Sequence, residues 1–124
     1  MAQLRFAWRG RKAEILAVPE ELDLITADSL ATRGCAAISR CAQLLLLDLS
    51  GLSFCDARGL GALVKIANHA EAAGCRYGLI APQSQVAKLL RITGLDQRMP
   101  VFSTLNEALT RLTVRVDAAP ALAN

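Results

Sequence analysis

A run of four leucines, in the stretch QLLLLDL (Gln43–Leu49), limits the folds open to this chain more than any other segment. Successive side chains of a β-strand point to opposite faces of the sheet, so a continuous apolar run needs cover on both faces. That pattern is typical of a central, largely parallel strand with helices packed on it. A chain of 124 residues has the size of one domain of this kind.

Strand-like and helical patterns alternate along the rest of the chain. The predicted order is a hairpin of Gln3–Trp8 and Ala13–Val18, a helix carrying Leu30, Gly34 and Ile38, the leucine strand, a helix ending at Ala73, a strand Arg76–Ala81, a helix opened by Pro82 and Ser84, a strand Met99–Phe102 and a closing helix from Leu105. We expect Thr26 or Asp28 to cap the first helix and Gly74 to end the second. This order predicts an α/β fold, with a central mixed, mostly parallel β-sheet and four to five helices. The expected domain spans residues 1–113, and residues 114–124 are expected to be a flexible tail.

Charge and composition argue against several classes of function. The net charge is +3, the basic residues are spread along the chain, and aromatic residues make up only 4% of it, which does not favour a nucleic-acid surface. The apolar runs are too short to cross a bilayer, and no leader pattern is present in the sequence, so we expect a cytoplasmic protein without membrane insertion. The cysteines have no metal-binding spacing with the single histidine, His69, so no metal or cofactor is expected. A redox role stays open for the four cysteines, which are Cys35, Cys41, Cys55 and Cys75.

The turn GLSFCDARGLG (Gly51–Gly61) follows the leucine strand, at the end of a parallel sheet where binding sites form. Asp56 is placed to cap the next helix, whose N-terminus would attract an anion. A phosphate loop is disfavoured, because the turn has neither GxxxxGK[ST] nor GxGxxG. A nucleophilic Cys55 would lack a base, since His69 lies more than three turns along the helix. The third interpretation is a recognition turn, whose small residues let a partner approach closely.

The stretch LLLDLSGLSFCDARGLGAL is similar to the signature of STAS domains, especially the bacterial anti-sigma factor antagonists. That signature is an apolar strand ending in Asp, followed by Phe-x-Asp-Ser-[Ser/Thr/Arg]-Gly-Leu-Gly. The matching residues are Phe54, Asp56, Gly59, Leu60 and Gly61. The segment EELDLITADSL also resembles the family's Gly-Glu-Leu-Asp segment, and the order of elements fits from about Gln3 to Leu112.

The resemblance implies a non-enzymatic domain that works by partner switching. Such a domain binds an anti-sigma factor, usually also a serine kinase with a histidine-kinase-like ATPase fold, and so releases the sigma factor. The kinase phosphorylates the serine after the motif's aspartate, and a serine phosphatase reverses this. Ala57 occupies that position here, which predicts a switch locked in its binding form. Glu20 stands where the family usually has glycine, so we expect the loop there to differ if a positive φ is needed.

We expect the partner to bind around the turn. The predicted partner-binding residues are Asp23, Ser53, Phe54, Cys55, Asp56, Ala57, Arg58, Gly59, Leu60 and Gly61. Ser50 and Ser53 are interpreted as turn and cap residues, and Asp48 as an anchor of the turn. Two alternatives stay open: an accessory STAS subunit of a stressosome-like or lipid-transport complex, and a small-molecule or nucleotide sensor that uses the same turn.

Overall fold

The computed structural model of this chain describes residues 3–40 and 42–112. The strands are β1 (Gln3–Trp8), β2 (Arg11–Ala17), β3 (Glu21–Leu22), β4 (Leu44–Asp48), β5 (Phe54–Cys55), β6 (Arg76–Ile80) and β7 (Val101–Phe102). The helices are α1 (Leu24–Ser39), α2 (Ala57–Ala73), α3 (Ser84–Ile92) and α4 (residues 105–112), with a 3₁₀ turn at Leu95–Gln97. The predicted tail, residues 114–124, lies outside the described residues, so the domain boundary stays a prediction.

Five strands form the main sheet in the order β1-β2-β4-β6-β7. β1 pairs with β2 in antiparallel fashion, and the other three pairings are parallel. The predicted α/β fold with a mixed, mostly parallel sheet is therefore confirmed. Two strands were not predicted: β3 and β5 form a separate two-stranded parallel sheet.

The leucine run is the central strand, as predicted, and both of its faces are buried. Leu45 and Leu47 belong to the apolar cluster that α1, α2 and α3 cover. Leu44 and Leu46 belong to a second cluster on the other face, which α4 covers through its buried residues Ala108 and Leu112. The pleat sends neighbouring leucines to opposite layers, which is why the run contains no polar position.

The start of α1 differs from the prediction. Neither Thr26 nor Asp28 is the cap; the Asp23 carboxylate accepts the Ile25 and Thr26 backbone N–H groups at 3.1 and 3.2 Å. The Thr26 hydroxyl accepts the Asp23 backbone N–H at 2.9 Å and completes a capping box. Together, Asp23 and Thr26 provide acceptors for backbone N–H groups that lack a partner within the helix. The helix therefore begins at Leu24, earlier than a cap at Thr26 or Asp28 would place its start.

Candidate functional site

The small β3–β5 sheet brings two helix starts together. Leu22 is in register with Cys55, and the Asp56 N–H donates to the Leu22 carbonyl at 3.3 Å. Because the two strands are parallel, the residues that follow them, Asp23 and Asp56, lie at the same end of the sheet. The first turns of α1 and α2 therefore share one surface, which we call the twin-start surface: Asp23, Leu24, Ile25 and residues 53–61.

Both aspartates of the twin-start surface serve as helix caps. The Asp56 carboxylate accepts the N–H groups of Arg58 and Gly59, both at 3.0 Å, so the predicted cap of α2 is confirmed. At the other cap, the hydrogen bonds from the Thr26 backbone and side chain hold the pKa of Asp23 below its ordinary 3.8. Each negative charge is thus balanced by the donors of its own helix.

Gly59 contributes by close packing rather than by exposure, because it is buried. A Cβ at this position would lie 2.6 Å from the Leu22 carbonyl oxygen and 2.7 Å from Cys55 Sγ. Only a glycine lets the first turn of α2 lie this near β3. Gly59 was predicted as a partner-binding residue, but because it is buried, its role is to position the exposed residues around it.

Cys55 is half-buried, and its surroundings disfavour the reactive thiolate form. Burial, and to a smaller extent the neighbouring Asp56 charge, raises the pKa of the Cys55 thiol to about 11. The nucleophile would be the thiolate, which this environment disfavours. His69 is exposed on α2, and the nearby group that its ring nitrogen meets is the Ser39 hydroxyl, at 3.5 Å. The geometry does not assemble a nucleophile with a base at this turn.

The twin-start surface is apolar and exposed at its centre. Phe54 is 53% exposed, and Ala57 and Arg58, the first two residues of α2, are also exposed. Leu24 is 55% exposed and Ile25 is 79% exposed. These two residues were not among the predicted partner-binding residues. The available signal was a pair of large apolar side chains directly after Asp23, where no helix stripe required them.

A shallow groove runs from this surface between α1 and α2. Small residues bring the helices close together, since Ala27, Ala31 and Ala62 form a buried cluster of their own. Gly61 lines the groove, and a Cβ on it would meet nothing within 4 Å. The groove is therefore open above Gly61. Charged side chains also line it; they are Asp28, Arg58 and Lys65.

Hydrogen bonds hold the loop that leads into the site. The Asp48 carboxylate accepts the Ser50 N–H at 3.0 Å, as expected for an anchor of the turn. The Ser53 hydroxyl donates to the Glu20 carbonyl at 3.2 Å. Glu20 itself does not need glycine, because the described non-glycine residues with positive φ are Arg9 and Ala81.

The rest of the described chain adds no reactive centre. Among residues 3–40 and 42–112, no group of three histidine, cysteine or acidic side chains could hold a metal ion. In the same ranges no helix has the length and apolar character that crossing a bilayer requires. Cys35, Cys55 and Cys75 are free thiols, and burial raises the pKa of Cys75 to about 11 as well. Cys41 lies outside the described residues.

Comparison with known proteins gives consistent results. The family model described as the STAS domain matches residues 11–108. A Mycobacterium tuberculosis protein named anti-sigma-F factor antagonist RsfB is 30% identical over 96 residues, which are 77% of this chain and 78% of that protein. A second relative is a Thermotoga neapolitana protein whose name describes it as an anti-sigma factor antagonist and TM1081 homologue. It is 32% identical over 71 residues, which are 57% of this chain and 63% of that protein. The crystal structure of an anti-sigma factor antagonist from Mycobacterium paratuberculosis is 28% identical, with a TM-score of 0.72, and covers 89% of this chain and 92% of that one.

Proposed function

Because this chain belongs to the STAS domain family, we propose that it is an anti-sigma factor antagonist whose twin-start surface binds an anti-sigma factor and so releases a sigma factor. The names of the relatives support the general role. The observation that carries the proposal is the exposed, uncharged Ala57, set between the apolar Phe54 and the open groove at Gly61. Since sigma factors act on transcription, the proposed site of action is the cytoplasm.

The surface suits a partner that packs closely. Exposed apolar side chains gain free energy when they are removed from water, by about 25 cal/mol for each Å² that is buried. Leu24, Ile25 and Phe54 supply that area, and Ala57 lets the partner approach the first turn of α2. Arg58, exposed on the same turn, is available for a carboxylate of the partner.

Charge at position 57 would work against such packing. A phosphate group would add about −1.5 to −2 charges, next to the Asp56 carboxylate, in an interface that must exclude water. Two backbone donors of this turn, the N–H groups of Arg58 and Gly59, are already bonded to Asp56. An added anion would therefore find these two donors occupied and would have to give up its hydration in the interface. This is why phosphorylation at position 57 would break the complex, and why alanine at that position leaves the surface able to bind the partner.

The partner of this proposal is an anti-sigma factor with the histidine-kinase-like ATPase fold of a serine kinase. Ala57 has no hydroxyl to receive phosphate, and the nearby Ser53 hydroxyl is hydrogen-bonded to the Glu20 carbonyl. The chain would then stay bound under conditions that release a phosphorylatable relative. No serine phosphatase is needed to restore it.

A capture experiment with three baits tests the proposal: the unaltered chain, Ala57→Glu and Ala57→Ser. From an extract of the native host, we expect the unaltered chain to retain a protein of the kinase-like ATPase fold and Ala57→Glu to lose it. With the captured partner and ATP, Ala57→Ser should gain phosphate at position 57 and then dissociate, while the unaltered chain gains none between Ser53 and Gly61. Equal capture by the unaltered chain and Ala57→Glu would refute the role of this surface.

A further inference from the structure

The groove between α1 and α2 has two facing walls with the same residue spacing. Four residues of each helix line it: Leu24, Ala27, Asp28 and Ala31 on α1, and Arg58, Gly61, Ala62 and Lys65 on α2. Each set follows the spacing i, i+3, i+4, i+7 of one helix face and extends for about 10 Å along the axis. The groove has a volume of about 430 Å³ and begins at the twin-start surface.

The two helices run side by side in the same direction. Ala27 and Ala31 of α1 pack with Ala62 of α2. Further along both helices, the Ser39 hydroxyl meets the His69 ring nitrogen at 3.5 Å. The level of a residue on one wall can therefore be matched to a level on the other wall, and the three alanines form the floor at the middle of the groove.

Charges of opposite sign line the two walls. Asp28 lies on the α1 wall between Ala27 and Ala31, so its level falls between those of Arg58 and Lys65 on the α2 wall. In the described part of the chain, none of these three charged side chains has a hydrogen bond or an ion pair. An occupant of the groove would thus meet two cations on one side and a carboxylate on the other.

A helix suits this groove better than an extended segment does. Beyond their first turns, α1 and α2 use their backbone groups in their own hydrogen bonds, so the walls offer a strand no main-chain partners. A helix satisfies its own backbone and needs only a groove for the side chains of one face. The alanine floor, and Gly61, whose Cβ would meet nothing within 4 Å, permit helix axes to approach to about 8 Å.

We propose, on the basis of the proposed function, that the anti-sigma factor places one helix in this groove. That helix carries acidic residues on the flank facing α2, two turns apart like Arg58 and Lys65, and a basic residue on the flank facing α1, opposite Asp28. Small or apolar residues of the same helix lie on the alanine floor. Because reversing the direction of a helix exchanges its two flanks, the charges select the direction of the partner helix as well as its composition.

An exchange of charges across the groove tests this direction without altering the net charge. The double variant Asp28→Lys, Lys65→Asp sets like charges against both flanks of the partner helix. Its affinity for the purified protein that the unaltered chain captures, measured by surface plasmon resonance at about 0.15 M ionic strength, should fall at least about tenfold. The matched control is Asp28→Glu, Lys65→Arg, which keeps both charges in place and should bind within about twofold of the unaltered chain.

Carbodiimide coupling of the complex tests the chemistry of the partner directly. The reagent joins an amine to a carboxylate, with loss of water, only where the two groups touch. Peptide mass spectrometry should find Lys65 joined to a glutamate or aspartate of the partner. Lys88, which is exposed on α3 outside the groove, is the control and should stay uncoupled.

The inference would be overturned, with the proposed function left standing, by either of two results in a complex that Ala57→Glu abolishes. One is undiminished binding of Asp28→Lys, Lys65→Asp; the other is coupling of Lys65 no greater than that of Lys88. If the unaltered chain captures no kinase-like ATPase, or if Ala57→Glu binds equally well, the proposed function fails and this inference fails with it. Positions 28 and 65 are both exposed, and thermal unfolding of each variant checks that the fold is retained.

Discussion

Alanine substitutions at two glycines of the same helix turn, Gly59 and Gly61, should have opposite effects on stability. Gly59→Ala would place a Cβ 2.6 Å from the Leu22 carbonyl oxygen, which is fixed by the β3–β5 pairing. Overpacking of this kind costs about 1–3 kcal/mol, and the better helix propensity of alanine returns up to about 1 kcal/mol. We therefore expect a net loss of roughly 1–2 kcal/mol for Gly59→Ala.

Gly61→Ala is the matched control, because its Cβ enters open space. It should stabilise the chain by about 0.5–1 kcal/mol. Urea unfolding, with the slope m compared between variants, measures both free energies. The two variants should thus differ by roughly 1.5–3 kcal/mol. Equal stability of the two proteins would refute the claim that the site depends on the close contact between α2 and β3.

Three further outcomes follow from the local geometry. Ala81 has a positive φ of 56°, so Ala81→Gly should raise the unfolding free energy by about 0.5–1 kcal/mol in a urea titration; an unchanged midpoint would contradict it. Because the pKa of Asp23 is lowered, its ionised side chain stabilises the fold above about pH 4, and this stabilisation is lost as the pH falls below that value. The difference in unfolding free energy between the unaltered chain and Asp23→Asn should therefore shrink below about pH 4. A difference that stays constant with pH would argue against the cap. With its pKa raised to about 11, Cys55 should be alkylated by iodoacetamide at pH 8 at least about tenfold more slowly than in urea; equal rates by peptide mass spectrometry would contradict the burial.

Local chemistry made much of the fold predictable. Asp56 before a helical stripe and Gly74 after it mark the ends of α2, because caps depend only on residues within one turn. The leucine run identified the central strand for the same kind of reason: its side chains must be buried whatever surrounds them. The order of elements and the parallel sheet followed from these segments.

Tertiary contacts decided what the sequence did not reveal. β3 and β5 have two residues each, too few for a pattern, and they exist because they pair with each other. Leu24 and Ile25 look like core residues in the sequence, yet the early start of α1 turns them toward solvent. The burial of Gly59 likewise depends on β3, which is distant in the chain. The predicted set thus covered the start of α2 and Asp23 before α1, and it did not include Leu24 and Ile25.

The pairing of β3 with β5 has a consequence for anyone who wishes to block this protein. It joins segments 33 residues apart in the chain, so no contiguous stretch reproduces the whole twin-start surface. A synthetic peptide covering Ser53–Gly61 would lack Leu24 and Ile25 and the scaffold that orients Ala57. Competitors should instead be sought among folded molecules or macrocycles that imitate two adjacent helix ends at once.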